Sequence, residues 1–232
     1  APYDQVFNTL AGDLRGVDLG AVFTQPHKVS SEFGRALQYE AFDRGAARAE
    51  FDAFASLLIQ AASRVPTLAA VTWVPPPWAL PVGPHSWHGQ HDVSRLLAEA
   101  NLKMAAAGDT ARNLVLIDQA DCLAGVAAFD PKLWAMGKVI YSRPALEAFA
   151  GQIRSLIDAL VGRSRKLIVL DLDNTLWGGI VGDDGWANLK LGGIDPIGES
   201  YALFQRQLKG LQRRGVLLAI ASKNEESVAL EA

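Results

Sequence analysis

Five short apolar runs are separated by longer segments in which apolar residues recur every three or four positions. The runs LGAVFT (19–24), LAAVTWV (68–74), NLVLID (113–118), KLIVLD (166–171) and VLLAIASKN (216–224) each predict a strand. Pro75, Pro76 and Pro77 stop the second, because proline has no N–H to give to a ladder. The spacing predicts helices between the runs. EFDAFASLLIQAA (50–62) puts Phe51, Phe54, Leu57 and Leu58 on one face, and VSRLLAEANLKMAAA (93–107) follows Asp92 as its N-cap. A helix over 144–160 has Pro144 in its first turn and Gly162 as its stop. In IGESYALFQRQLKGLQRRG (197–215), Tyr201, Phe204, Leu208 and Leu211 share a stripe, and EESVALEA (225–232) opens another helix. Strand and helix in alternation predict an α/β fold of two modules, 1–162 and 163–232, each a parallel sheet with helices on its faces.

The segment PWALPVGPHSWHGQHD (77–92) interrupts this rhythm at the carboxyl end of a strand, where open α/β sheets bind ligands. His85, His88 and His91 recur at three-residue intervals, which raises a metal site. Glycine and proline make the spacing irregular and no acidic pair accompanies it, so a solvated loop, or one packed through Trp78 and Trp87, is the favoured reading. FDPKLWAMGKVIYS (129–142) is a second tryptophan-centred loop.

Half of the 232 residues are apolar, which is enough for a substantial core. With 20% charged residues and a net charge of −3, bulk electrostatic binding to nucleic acid or an anionic membrane is not expected. Arg163, Arg165 and Lys166 form a short basic patch that reads as a linker or strand start. Cys122 is the only cysteine, so no internal disulfide or Cys/His metal framework can form. That usage suits a reducing, cytoplasmic setting, with Cys122 as a buried or partly buried small hydrophobe. No apolar run reaches the roughly 18 residues of a membrane span. The opening APYDQVFNTL lacks the regions of a signal peptide. An opening without methionine and a close in the first turns of a helix lead to the expectation of a piece of a longer chain.

The candidate chemistry lies in KLIVLDLDNTLWGG (166–179). Asp171 and Asp173 follow four apolar residues whose continuity predicts a strand buried on both faces. Two carboxylates at such a tip would be poorly hydrated and would need a partner. One of them capping the next turn is the plain alternative, although a cap needs one acceptor rather than two. A hard divalent cation such as Mg2+, which takes oxygen ligands, suits the pair. One carboxylate could then attack phosphorus while the other handles a proton, or both could be passive ligands. Asn174 and Thr175 complete D-x-D-x-T. The second strand ends in Ser222, a hydroxyl able to meet a phosphoryl oxygen, and Lys223, a positive charge. Adjacent parallel strand tips bring together a nucleophile, a metal and donors, as phosphoryl transfer requires.

VLDLDNTLWGGIVGDDG and LLAIASKNEE resemble motifs I and II of the haloacid dehalogenase (HAD) superfamily of phosphotransferases. The fuller pattern LDLDNTLWGG, VGDDG, GES and RRGVLLAIASKN is similar to its FkbH-like subfamily, found in polyketide and surface polysaccharide biosynthesis. APYDQVF, TWVPPP and FDPKLWAMGKVIYS resemble, more weakly, that subfamily's N-terminal region, whose fold is SGNH-hydrolase-like, a flavodoxin-like three-layer sandwich. The resemblance implies a HAD-like Rossmannoid second module, present in part over 163–232, with the later lysine and acidic motifs past residue 232. It implies Asp171 as nucleophile and Mg2+ ligand, Asp173 as general acid/base with its carbonyl on the metal, and Ser222, Asn174 and Lys223 as phosphoryl-binding residues. Thr175 would support the loop, and Trp177, in the flap that runs to Asp184, would shield the site from water. The implied reaction dephosphorylates a 1,3-bisphosphoglycerate-type donor and passes the glyceryl unit to the phosphopantetheine thiol of an acyl carrier protein. The competing readings are a non-catalytic module that docks a carrier protein through the aromatic loop at 73–91, and an SGNH-type esterase. The esterase lacks support, because no Gly-Asp-Ser block and no ordered Asp-x-x-His pair is present.

Overall fold

A computed structural model of the chain describes residues 5–79, 87, 88, 92–193 and 195–231. The chain divides into two compact units, one up to Ile157 and one from Asp158 on.

In the first unit the order is α1 (Val6–Ala11), β1 (Leu19–Val22), α2 (Pro26–Val29), α3 (Ser31–Leu37), α4 (Arg44–Ala62), β2 (Thr67–Val71), α5 (Val93–Thr110), β3 (Leu114–Ile117), α6 (Gln119–Leu123), α7 (Pro131–Gly137) and α8 (Arg143–Leu160), whose last turn from Asp158 belongs to the second unit. The strands lie parallel in the order β1-β2-β3, with Leu68 opposite Gly20 and Leu114. Every residue of the middle strand β2 is buried. Strand alternation sends Leu68 and Ala70 into a core with Phe51, Phe54 and Leu58 of α4 and Leu96, Leu97 and Met104 of α5. It sends Ala69 and Val71 the other way, against Cys122, Tyr141, Ala145 and Phe149. Cys122 is buried, as its sequence surroundings suggest, and burial pushes its thiol pKa up.

The strands are shorter than the apolar runs for a local reason. The Asn101 side chain accepts from the Trp73 N–H at 2.9 Å and donates to its carbonyl at 2.7 Å, so the backbone leaves the ladder before the prolines. α4 begins at Arg44 rather than at Glu50, because the Asp43 carboxylate caps it by accepting from Gly45 and Ala46 N–H. Asp92 departs from expectation: it stands at the start of α5, but its side chain makes no capping bond. The carboxylate is buried, and at that depth it pairs with the Arg44 guanidinium at 2.8 Å instead.

Glu50 carries a testable electrostatic contribution. Burial pushes its carboxyl up, but bonds from Ser30 and Ser31 hydroxyls at 2.5 and 2.7 Å and from the Glu32 N–H outweigh this and hold the pKa below the ordinary value. A depressed folded pKa adds stability above the unfolded-state value, and that stability is lost as pH falls through the folded one. Urea unfolding between pH 7 and 3 is expected to show a shallower acid decline for Glu50→Gln than for the wild type.

The second unit holds β4 (Leu167–Leu170), α9 (Val181–Asp184), a 3-10 turn at Trp186–Asn188, α10 (Pro196–Arg213), β5 (Leu217–Ile220) and α11 (Glu226–Glu231). β4 and β5 pair in parallel, Leu167 with Leu217 and Leu170 with Ile220. Gly162 takes a positive φ of 73° just past α8, a conformation that favours glycine and closes the helix. The expectation of a strand buried on both faces fails here: Leu167 is 51% and Val169 56% exposed, and Leu217 across the ladder is 66% exposed. Among the described residues only two strands make this sheet, and alternation leaves that face bare. No described helix is long and apolar enough to cross a membrane.

Candidate active site

β4 ends at Leu170, and the Ala221 N–H donates to the Leu170 carbonyl at 2.9 Å, so the two chains run one step past the ladder side by side. Alternation then fixes the next three side chains. Leu172 turns inward, is 4% exposed and packs with Trp177 and Val181. Asp171 and Asp173, on either side of it, reach a common cleft lined by both carboxylates and by Ala221, Ser222, Lys223 and Asn224. A one-residue spacer in an extended chain is what puts two carboxylates on one side while its middle residue anchors the tip.

The chain turns sharply after this. The Leu172 carbonyl accepts from Thr175 and Leu176 N–H at 3.0 and 2.8 Å, and Asn174 sits at φ 54°, a left-handed conformation that asparagine tolerates. The Asn174 side-chain oxygen accepts from Gly179 N–H at 3.0 Å. Gly179 itself has φ 114°, where a side chain is strained, and an added Cβ would stand 2.9 Å from the Asp184 carboxylate. These contacts fold 174–184 into a compact flap.

The two carboxylates live in different surroundings. Asp171 is exposed, and one oxygen accepts from the N–H of Leu172 at 2.8 Å. Asp173 is half-buried and accepts three bonds. Oδ1 takes Trp177 Nε1 at 3.0 Å and the Val181 N–H at 3.1 Å, and Oδ2 takes Asn224 Nδ2 at 2.9 Å. Burial pushes the Asp173 carboxyl up, but the Asn224, Val181 and Trp177 donors together hold its pKa below the usual carboxylate range.

Asp171, Asp173, Ser222 and Lys223 thus meet in one cleft. Asn174, Thr175 and Trp177 are not among its lining residues. Asn174 commits its side-chain oxygen to the flap turn, and Trp177 is buried at 6% exposure with its indole N–H donated to Asp173. Sequence alone gives neither Asn224 nor the Val181 N–H a role at the site. The only signal was a polar triplet after an apolar strand, and nothing in it shows that its third member reaches a residue 51 positions earlier. His85 and His91 lie outside the described residues, while His88 is exposed. Among the described residues no group of three or more His, Cys, Asp or Glu is placed to hold a metal ion. The Asp171 and Asp173 pair nonetheless has the donor chemistry of a Mg2+ site, since Mg2+ commonly binds through one or two carboxylates, with waters and substrate phosphate completing its shell.

No family model matches the chain, and no curated protein matches it. Among solved structures it is similar to the crystal structure of the N-terminal part of the protein BF1531 from Bacteroides fragilis, containing a phosphatase domain and complexed with Mg. The sequences are 24% identical, with a TM-score of 0.84 over 100% of this chain and 62% of that one. This chain has that fold. It spans less than two thirds of the matched chain's length.

Proposed function

We propose that the second unit is a HAD-type phosphatase or phosphotransferase, with Asp171 as nucleophile and Asp173 as general acid/base. The observation that carries this reading is the convergence of Asp171, Asp173, Ser222 and Lys223 on one cleft at the ends of two parallel strands. The Mg-complexed, phosphatase-domain-containing structure of the same fold supports it. The Asp171 carboxylate and the Asp173 backbone carbonyl would hold Mg2+, which supplies Lewis-acid charge neutralisation at the phosphoryl oxygens when bound.

An Asp171 carboxylate oxygen attacks phosphorus, and the bond from phosphorus to the leaving oxygen breaks, its electron pair going to that oxygen. Ser222 and Lys223 donate to the phosphoryl oxygens. A water then attacks the aspartyl-phosphate, Asp173 takes its proton, and the Asp171–phosphate bond breaks to release phosphate. The three donors on Asp173 favour its ionised form, which suits the base step directly. An alkoxide leaving group would take its proton from Asp173, which then accepts one from the attacking water. In the narrower reading the substrate is an acyl phosphate of the phosphoglycerate type: the thiol of an acyl carrier protein attacks its acyl carbon and displaces that phosphate to form the thioester, while Asp171 removes the phosphate ester and the alkoxide leaves. In that reading the first unit is an SGNH-like, flavodoxin-like sandwich.

Phosphate release by the full-length gene product tests the central claim, with acetyl phosphate and para-nitrophenyl phosphate as substrates. Release is expected to need Mg2+, to stop with EDTA and to fall about 1000-fold or more in Asp171→Asn. Equal release from the two proteins would remove the assignment.

A further inference from the structure

The bonding around Asp173 distinguishes its two oxygens. An ionised carboxylate offers about four acceptor sites, two on each oxygen. Both sites of Oδ1 are taken, by Trp177 Nε1 and the Val181 N–H. Oδ2 takes Asn224 Nδ2 alone among the described donors, which leaves one acceptor direction on a residue that lines the cleft. We infer that Oδ2 is the working oxygen of Asp173, that Oδ1 is its anchor, and that Asn224 and Trp177 are positioning residues for it. This rests on the phosphoryl-transfer reading and assigns parts within that site.

The two anchors are built differently. Trp177 is 6% exposed and packs with Leu172 and Val181, so its indole is held in place and Oδ1 with it. Val181 starts α9, and its N–H is a donor that the helix itself does not use. Oδ1 therefore ties the strand tip to the flap. Oδ2 is tied across the site to the end of β5, and the same residue's N–H donates to Ser222 Oγ at 3.3 Å. Asn224 thereby sets two groups at once, the hydroxyl facing the phosphoryl oxygens and the plane of the acid/base carboxylate. With Asn224 removed, Oδ1 stays anchored while the carboxylate plane is free to swing about that anchor. A loss of aim of this kind lowers the rate of the chemical step more than substrate binding.

The test pairs kinetics with the indole N–H resonance of Trp177 in uniformly 15N-labelled protein. That resonance is assigned among the six tryptophans by its disappearance in Trp177→Phe. Asn224→Ala is expected to lower kcat for acetyl phosphate about 10- to 100-fold with KM changed less than about 3-fold. Its Trp177 indole resonance should stay at the wild-type position. Asp173→Ala is expected to move that resonance. Wild-type kcat in Asn224→Ala, or a displaced indole signal in that variant, would overturn the positioning role. An indole signal unmoved in Asp173→Ala would overturn the anchor. Absence of phosphate release from the wild type itself sinks the phosphoryl-transfer reading, and the working-oxygen assignment falls with it, while the indole shift still decides the anchor.

Discussion

Asp173→Ala is expected to lower turnover by about two to four orders of magnitude and to loosen the second unit, whereas Asp173→Asn is expected to do only the first. The alanine removes the acceptor of three donors in one step: Trp177 Nε1, the Val181 N–H and Asn224 Nδ2. A buried donor left without a partner costs about 1–3 kcal/mol. The site is half open, so water recovers part of this, and the summed loss is expected at about 1–3 kcal/mol. Asparagine keeps an oxygen for the two flap donors. Its amide nitrogen then faces that of Asn224, and the Asn224 side chain relieves the conflict by turning over to present its own oxygen. Stability should therefore fall by less than about 1 kcal/mol. Neither variant has a carboxylate to carry a proton, and loss of a general acid/base lowers the rate about 100- to 10,000-fold. Urea unfolding and phosphate release read the two effects separately. Turnover retained by Asp173→Asn would exclude a proton role, and wild-type stability of Asp173→Ala would show that the three bonds contribute nothing to the fold.

The contrast between those variants marks the limit of what local sequence dictates. The strand tip is legible because apolar continuity, a one-residue spacer and the D-x-D-x-T order are local, and strand alternation converts that order directly into geometry. The same holds for the paired strand ending at Ser222. What decides the behaviour of Asp173 is not local. Asn224 reaches it through a parallel pairing of β4 with β5, and the Trp177 indole reaches it only because Asn174 and Gly179 take up positive φ and fold the flap back. Trp177 is therefore buried against the Asp173 carboxylate and does not line the cleft. The exposed faces of Leu167, Val169 and Leu217 follow the same logic. An apolar run reports that a strand wants cover on both sides, and how many neighbours supply it is a property of the sheet. In the first unit helical spacing makes the core legible: Phe51, Phe54 and Leu58 are buried as their periodicity requires, and Leu57 is half-buried at its edge. Asp43 and Asp92 show the limit there: both are acidic residues ahead of a helix, but one caps and the other, buried, pairs with the Arg44 guanidinium.

Phe54→Ala is expected to give the largest loss of stability in the first unit. Phe54 is 1% exposed and lies at the meeting point of α1, α4 and the end of β2. Its ring stands edge-on to Phe7 at 5.7 Å and tilted against Trp73 at 5.5 Å. Trp73 cannot move in to fill the gap, because its indole N–H donates to the Thr24 carbonyl at 3.0 Å and its backbone is held on both sides by Asn101. Phe7 is 39% exposed, so its inward collapse would strip α1 of the position it now holds over the core. A cavity that neighbours cannot close keeps its full penalty, and a buried Phe→Ala change costs about 3–5 kcal/mol. Phe54→Leu retains most of the volume and is expected to cost about half as much or less. Denaturant unfolding monitored by tryptophan emission reports this directly, since Trp73 lies against the altered site. Equal unfolding midpoints for Phe54→Ala and Phe54→Leu would mean that Phe7 and its neighbours do repack, and that the rigidity ascribed to Trp73 is wrong.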